Sequence, residues 1–276
     1  MATETFWTPS GVRLRPRTQR PGPLNWLFLP GGPGIGSESL HELVDSGDLP
    51  GTSWMVDLPG DGSNTNAPGA PDDPYTIWPQ VLLEAVDAVP NPIYVGHSTG
   101  GMYLLSTPQL ENRLTGLVLV STAPDSSWLP AFIAMTERNP LPAVTAATEL
   151  YGKDPTDEHL AAIAVASAAW NFAPHTVDAG RDLLSRMPYN GSAVAWSEKH
   201  FDHTYAATWW PATLPTLIVS GSDDRIVTQH LWDDDRYRGQ HIVHAIIESG
   251  AHFAWIENPA AVKLAFHDFA QNLTAT

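Results

Sequence analysis

Short apolar runs recur along the chain and alternate with stretches of helical spacing. Residues 24–29, 54–56, 93–95, 114–120, 215–220 and 242–247 are strand-length and carry few polar positions. A strand buried on both faces reads this way, whereas a strand with one wet face alternates strictly. Residues 5–15 alternate weakly and predict an opening strand or hairpin turning at Ser10-Gly11. Over residues 75–89, Ile77, Val81, Leu82, Ala85, Val86 and Val89 share one helical face. A helix is predicted from Gly101 to about Leu110, with Pro108 near its end. From Asp125 to about Trp210 the strand pattern stops and helical periodicity takes over. Within that span Asp154-Pro155, with Asp157 in the first turn, predicts a helix start that the apolar run 160–170 continues. Asn190 predicts the cap of a further helix through Ala195 and Trp196, and a last helix is expected over residues 259–271. The alternation predicts an α/β core with a mostly parallel sheet covered by helices. The core takes residues 1–124 and 211–276, and a helical cap over 125–210 follows the strand ending near Val120.

Composition narrows the function classes. The 276-residue chain is 43% hydrophobic and 16% charged, as expected of a globular protein. Its net charge of -16 argues against nucleic acid and anionic membrane surfaces as partners, since both reward basic patches. There is no cysteine, which removes disulfides, thiolate chemistry and cysteine-bound zinc. The polar, proline-rich first 23 residues lack the apolar stretch of a signal peptide, and no run approaches membrane-span length. The expectation is a soluble cytoplasmic protein; oligomeric state is not encoded legibly.

Chemistry concentrates at strand ends. The run 93–95 leads into Gly96-His97-Ser98-Thr99-Gly100 with a helix after it, the strand-turn-helix setting of a nucleophile elbow. A serine hydroxyl is a poor nucleophile at neutral pH and needs a base, which in turn needs an orienting acid. Gly221-Ser222-Asp223-Asp224 follows the next-to-last strand, and Gly250-Ala251-His252 follows the last. Their chain order is Ser, Asp, His. His97, beside the serine, is read as packing under the elbow. The loop 31–36 is no phosphate-binding loop: it has no following Lys-Ser/Thr, and Ser37 stands where a third dinucleotide-fingerprint glycine would fall. His241 and His244 sit three apart on a strand and point to opposite faces, and His200 and His203 lack a third ligand, so no metal site is predicted.

These motifs, with the loop 57–63, resemble the α/β-hydrolase superfamily over nearly the whole chain outside the cap. The resemblance implies the α/β-hydrolase fold, with Ser98 as nucleophile, His252 as base and no cofactor. Its Gly-x-x-Asp pattern selects Asp224 over Asp223 as the acid; Asp125 is a second alternative, because some members carry the acid after the preceding strand. Pro30-Gly31-Gly32-Pro33-Gly34 resembles the His-Gly-Gly-Pro-Gly loop of proline iminopeptidases, with proline replacing the histidine. By that likeness the N–H groups of Gly32 and Thr99 form the oxyanion hole. Iminopeptidases also carry a cap acid after a tryptophan to bind the substrate's amino end. Here Trp170 is followed by Asn171, while Glu198 stands near Trp196 and Glu257 follows Trp255. Trp170, Trp196 and Glu198 are the expected substrate contacts, and Trp128, Trp209 and Trp210 add to an aromatic cap. The function the resemblance implies is a serine hydrolase cleaving an ester or amide of a small molecule or short peptide, iminopeptidase-like or a carboxylesterase of small apolar or aromatic esters. Two other classes share the fold: a cofactor-free oxygenase or lyase, and a non-catalytic ligand receptor.

Overall fold

The computed structural model describes residues 4–274. Eight strands form one sheet: β1 (Phe6–Trp7), β2 (Arg13–Gln19), β3 (Asn25–Leu29), β4 (Thr52–Asp57), β5 (Pro92–His97), β6 (Gly116–Val120), β7 (Thr216–Gly221) and β8 (Ile242–Ile247). Their order is β1-β2-β4-β3-β5-β6-β7-β8. β1 pairs antiparallel with β2, and β2 with β4, while all later pairings are parallel. The opening hairpin therefore exists, but its second arm runs on to Gln19.

Every residue of β3, β5, β6 and β7 is buried. The period-two alternation of a strand shows in which layer each side chain joins. Leu27, Tyr94, Leu117 and Leu119 join one core layer. Trp26, Phe28, Val95, Val118 and Val120 join the other. Helix α1 (His41–Gly47), α10 (Ala254–Glu257) and α11 (Pro259–Thr274) cover the second layer, where Trp26 and Phe28 meet Phe266. α2 (Trp78–Asp87) and α3 (Thr99–Leu105) cover the first. β8 is the outer strand, and it leaves Val243 and Ile246 about half exposed.

Between β6 and β7 the chain leaves the sheet for six helices: α4 (Trp128–Arg138), α5 (Pro142–Lys153), α6 (Asp157–Ala166), α7 (Ala168–Asn171), α8 (Val177–Leu184) and α9 (Gly191–His200). Asn190 caps α9 as its sequence suggests, its side chain accepting from Ala193 N–H at 3.2 Å. Three boundaries differ from expectation. α3 stops at Leu105, because the Ser106 and Thr107 hydroxyls donate back to Met102 O and Tyr103 O and Pro108 holds Thr107 out of helical geometry. α6 is capped by Thr156, not Asp154: the Thr156 hydroxyl accepts from His159 N–H at 3.2 Å, while Asp154 closes α5 as its C-cap. The run 160–170 is one apolar stretch in sequence but two helices, α6 and α7, meeting at Ser167. α1 shows no signal in the sequence, since seven residues are too few for a period to register.

Candidate active site

Ser98 sits between the last residue of β5 and the first of α3, with φ 50° and ψ -124°. Positive φ is unfavourable for a residue with a side chain and persists only when the surroundings impose it. They do so here. Ser98 N–H donates to Val120 O at 2.9 Å, and Ser98 O accepts from Thr122 Oγ1 at 2.6 Å and from Gly101 N–H at 3.0 Å. A Cβ on Gly96 would lie 2.6 Å from Gly101 Cα, and one on Gly100 would lie 2.3 Å from Pro30 O. Both contacts are with backbone, which cannot yield.

The loops after β7 and β8 bring two more groups to the same sheet edge. They lie so close that a Cβ on Gly221 would stand 2.3 Å from Gly250 O, and Asp223 N–H donates to Gly250 O at 2.8 Å. His252 Nε2 lies 3.1 Å from Ser98 Oγ, and His252 Nδ1 lies 3.0 Å from Asp224 Oδ2. The other oxygen of Asp224 accepts from Ile226 and Val227 N–H at 2.8 and 3.0 Å. His252 and Asp224 are both buried. Asp223 is exposed, and Asp125 turns to Ser127, so neither carboxylate meets the imidazole. His97 lies underneath, its Nε2 3.2 Å from His252 O and its ring 4.9 Å from the His252 ring. Burial holds its pKa well below the usual histidine value, so His97 stays neutral.

The loop 30–36 passes over Ser98. A Cβ on Gly31 would meet Ser98 Cβ at 2.6 Å, so only glycine admits this approach. Thr99 Oγ1 donates to Gly32 O at 3.0 Å and holds that peptide in place. Among the described residues, neither Gly32 N–H nor Thr99 N–H has a protein hydrogen-bond partner.

A cavity of about 300 Å³ opens over these groups. The inserted helices wall it with Trp128, Phe132, Leu160 and Val194, and the core adds Ile226 and Phe253. Ser167, Asn171 and Tyr189 add the polar side chains of the insertion wall, and no carboxylate lines the cavity among the described residues. The substrate contacts expected from sequence lie elsewhere. Trp170 donates to Asn139 O at 2.8 Å and packs edge-on against Phe132. Trp196 packs on Tyr75 and Trp78. Glu198 is exposed on α9. Glu257 faces backbone: its oxygens accept from Ala173 N–H, Ala251 N–H and the Thr176 hydroxyl, each at 3.2 Å. Burial raises its pKa above the usual carboxylate value. Asn171, whose backbone oxygen accepts from His252 N–H at 3.1 Å, is the cavity residue that counting tryptophans passes over.

The model described as "Alpha/beta hydrolase family" matches residues 26–263. No curated protein matches the chain. Among solved structures, proline iminopeptidase of Mycobacterium smegmatis is similar at 18% identity, with TM-score 0.65 over 98% of this chain and 99% of that one. An alpha/beta fold family hydrolase from Bacillus anthracis str. Sterne gives 14%, 0.72, 97% and 99% for the same four measures. A thermophilic esterase from Thermogutta terrifontis gives 16%, 0.64, 98% and 99%. At such identities the likeness is one of fold.

Proposed function

From the premise that this chain belongs to the alpha/beta hydrolase family, we propose that it is a serine hydrolase that cleaves uncharged, apolar esters or amides through an acyl-enzyme. The observation that carries this reading is the continuous hydrogen-bonded line from Asp224 through His252 to Ser98. Ser98 Oγ attacks the carbonyl carbon while His252 Nε2 takes its proton. The Asp224 carboxylate holds the proton on Nδ1, so that Nε2 keeps a free lone pair, and it stabilises the imidazolium that forms. The tetrahedral oxyanion is received by the N–H groups of Gly32 and Thr99, whose freedom from other partners supports that role. His252 then protonates the leaving group, and a water activated by the same imidazole releases the acyl group.

The preference for an uncharged substrate rests on the cavity. A free ammonium group in a partly dry pocket needs a carboxylate partner, since an unpaired buried charge costs several kcal/mol. Glu198 and Glu257 lie outside the lining, and the cavity-facing residue after Trp170 is Asn171. An iminopeptidase-like reading draws on the Gly-Gly-Pro-Gly loop, but the walls supply no anion for it. Two measurements decide the matter. A fluorophosphonate is expected to label wild-type protein at Ser98 and not Ser98→Ala; no labelling would exclude covalent catalysis and favour a lyase or receptor. The kcat/KM for a neutral short-chain aryl ester is expected to exceed that for a prolyl-arylamide, and the reverse order would restore the iminopeptidase reading.

A further inference from the structure

One buried acid beside the site takes no part in the chemistry above. Asp61 is 3% exposed and lies on the turn after β4. Its Oδ1 accepts from Gly34 N–H at 2.6 Å and from Gly62 N–H at 2.9 Å. Gly34 belongs to the loop over Ser98, two residues after Gly32. The same glycine's carbonyl accepts from Asn190 N–H at 2.8 Å, at the start of α9. A Cβ on Gly34 would stand 2.5 Å from Asn190 O, so the two segments touch backbone to backbone. The turn that carries Asp61 is itself rigid. Asp61 N–H donates to Leu58 O, and Asn64 N–H donates to Asp61 O. The Asn64 amide reaches Gly11 O, Asp57 O and Leu58 O.

We propose that Asp61 is a positioning residue of the active site: through the Gly34 peptide it sets the loop that carries Gly32 N–H and the seat of helix α9 against it. This rests on the serine-hydrolase reading above. The two peptides that meet at Gly34 are each held, the Pro33–Gly34 unit at its N–H by a fixed acid and the Gly34–Ile35 unit at its C=O by a helix start, so the backbone at Gly34 is pinned on both sides and Gly32, two residues before it, is held with it. The acid is a costly choice for a purely structural bond, because a neutral acceptor would fill the space without a buried charge. Burial raises its pKa to about 7, and the charges of Asp57 and Glu38 push the same way. Arg13 and Arg15 engage Asp57, and Arg15 also engages Glu38; the Tyr75 and Tyr103 hydroxyls lie within the field of Asp61. Near neutral pH the anchor therefore alternates between a charge-assisted acceptor and a weaker neutral one.

Asp61→Asn keeps the shape and an acceptor oxygen but never charges, and Asp61→Ala removes the anchor. With a neutral aryl ester, kcat and KM are measured from pH 5 to 9 for wild type and both variants. Backbone hydrogen exchange over residues 31–36 is followed on the same samples. Asp61→Ala is expected to speed exchange there and to lower kcat by roughly tenfold, equivalent to about 1.4 kcal/mol, with KM within about threefold. Asp61→Asn is expected to lose one ionisation from the acid limb of kcat. Wild-type kcat profiles and wild-type exchange in both variants would overturn the proposal, as would a loss confined to KM. If Asp61→Ala fails to fold, the Asp61→Asn profile decides. If fluorophosphonate labelling of wild-type Ser98 fails, the hydrolase reading falls by itself, and the exchange comparison still tells whether Asp61 holds the loop.

Discussion

Asp224 uses its two oxygens for different purposes. Oδ1 is taken by the Ile226 and Val227 N–H groups, which leaves Oδ2 facing His252 Nδ1. In Asp224→Asn the oxygen stays with the backbone donors and the amide NH2 faces the ring, so the imidazole adopts the wrong tautomer. The expected result is a fall in kcat of about 10⁴-fold, whereas Asp223→Asn, at an exposed position away from the imidazole, stays near wild type. Ser98→Ala and His252→Ala should each lose roughly 10⁶-fold. All four are read from ester turnover by purified protein. Ser98, Asp224 and His252 are legible in the sequence because each follows an apolar strand-length run within a short glycine-marked motif, even though the last of those strands, β8, is largely exposed. The tryptophans are not legible in that way, because aromatic content does not reveal which helix face looks inward. Val194 lines the cavity, and a residue two positions on is rotated by about 200°, so Trp196 faces the core instead. Trp170 is likewise turned outward while its neighbour Asn171 faces in.

At the level of elements, the loop over Ser98 and helix α9 meet as one fixed joint at a glycine with φ 87°. Gly34→Ala would combine an unfavourable backbone conformation with a contact to the Asn190 carbonyl that neither side can relieve. It is expected to cost about 1–3 kcal/mol from overpacking alone and to lower kcat more than it raises KM. A melting temperature and kcat both equal to wild type would show that α9 can shift without cost. The central strands β3, β5, β6 and β7 are readable from hydrophobicity because burial on both faces leaves no room for polar positions, whereas β8 has the same apolar run but lies largely exposed at the sheet edge. Helix ends are less readable, because local side-chain bonds and proline sterics decide them. Thr156 takes the cap of α6 through its hydroxyl because Asp154 is already spent in ending α5.

For the whole molecule, the buried acid beside the site makes stability depend on pH. Asp61 has its pKa raised from 3.8 to about 7, so the folded state holds this proton more tightly than the unfolded one. Its contribution is fully present below the unfolded value and is lost as pH rises through about 7. Asp61→Asn should therefore melt progressively higher than wild type between about pH 4 and 7, with a constant gap above that, bounded at about 4 kcal/mol. A gap that does not change with pH would show that Asp61 titrates as an ordinary carboxylate. The seam between insertion and sheet bears on a different question, that of modular exchange. His252 N–H donates to Asn171 O, and Glu257 accepts from Ala173 N–H and the Thr176 hydroxyl, so residues 171–176 serve the insertion and the His252 loop together. The insertion is thus not a removable cassette. A chimera that swaps in a relative's segment over residues 125–210 discards the partners of His252 and Glu257, and should fold yet turn over ester poorly. One that replaces only residues 125–170 keeps the native seam and should retain turnover while acquiring the donor's substrate range.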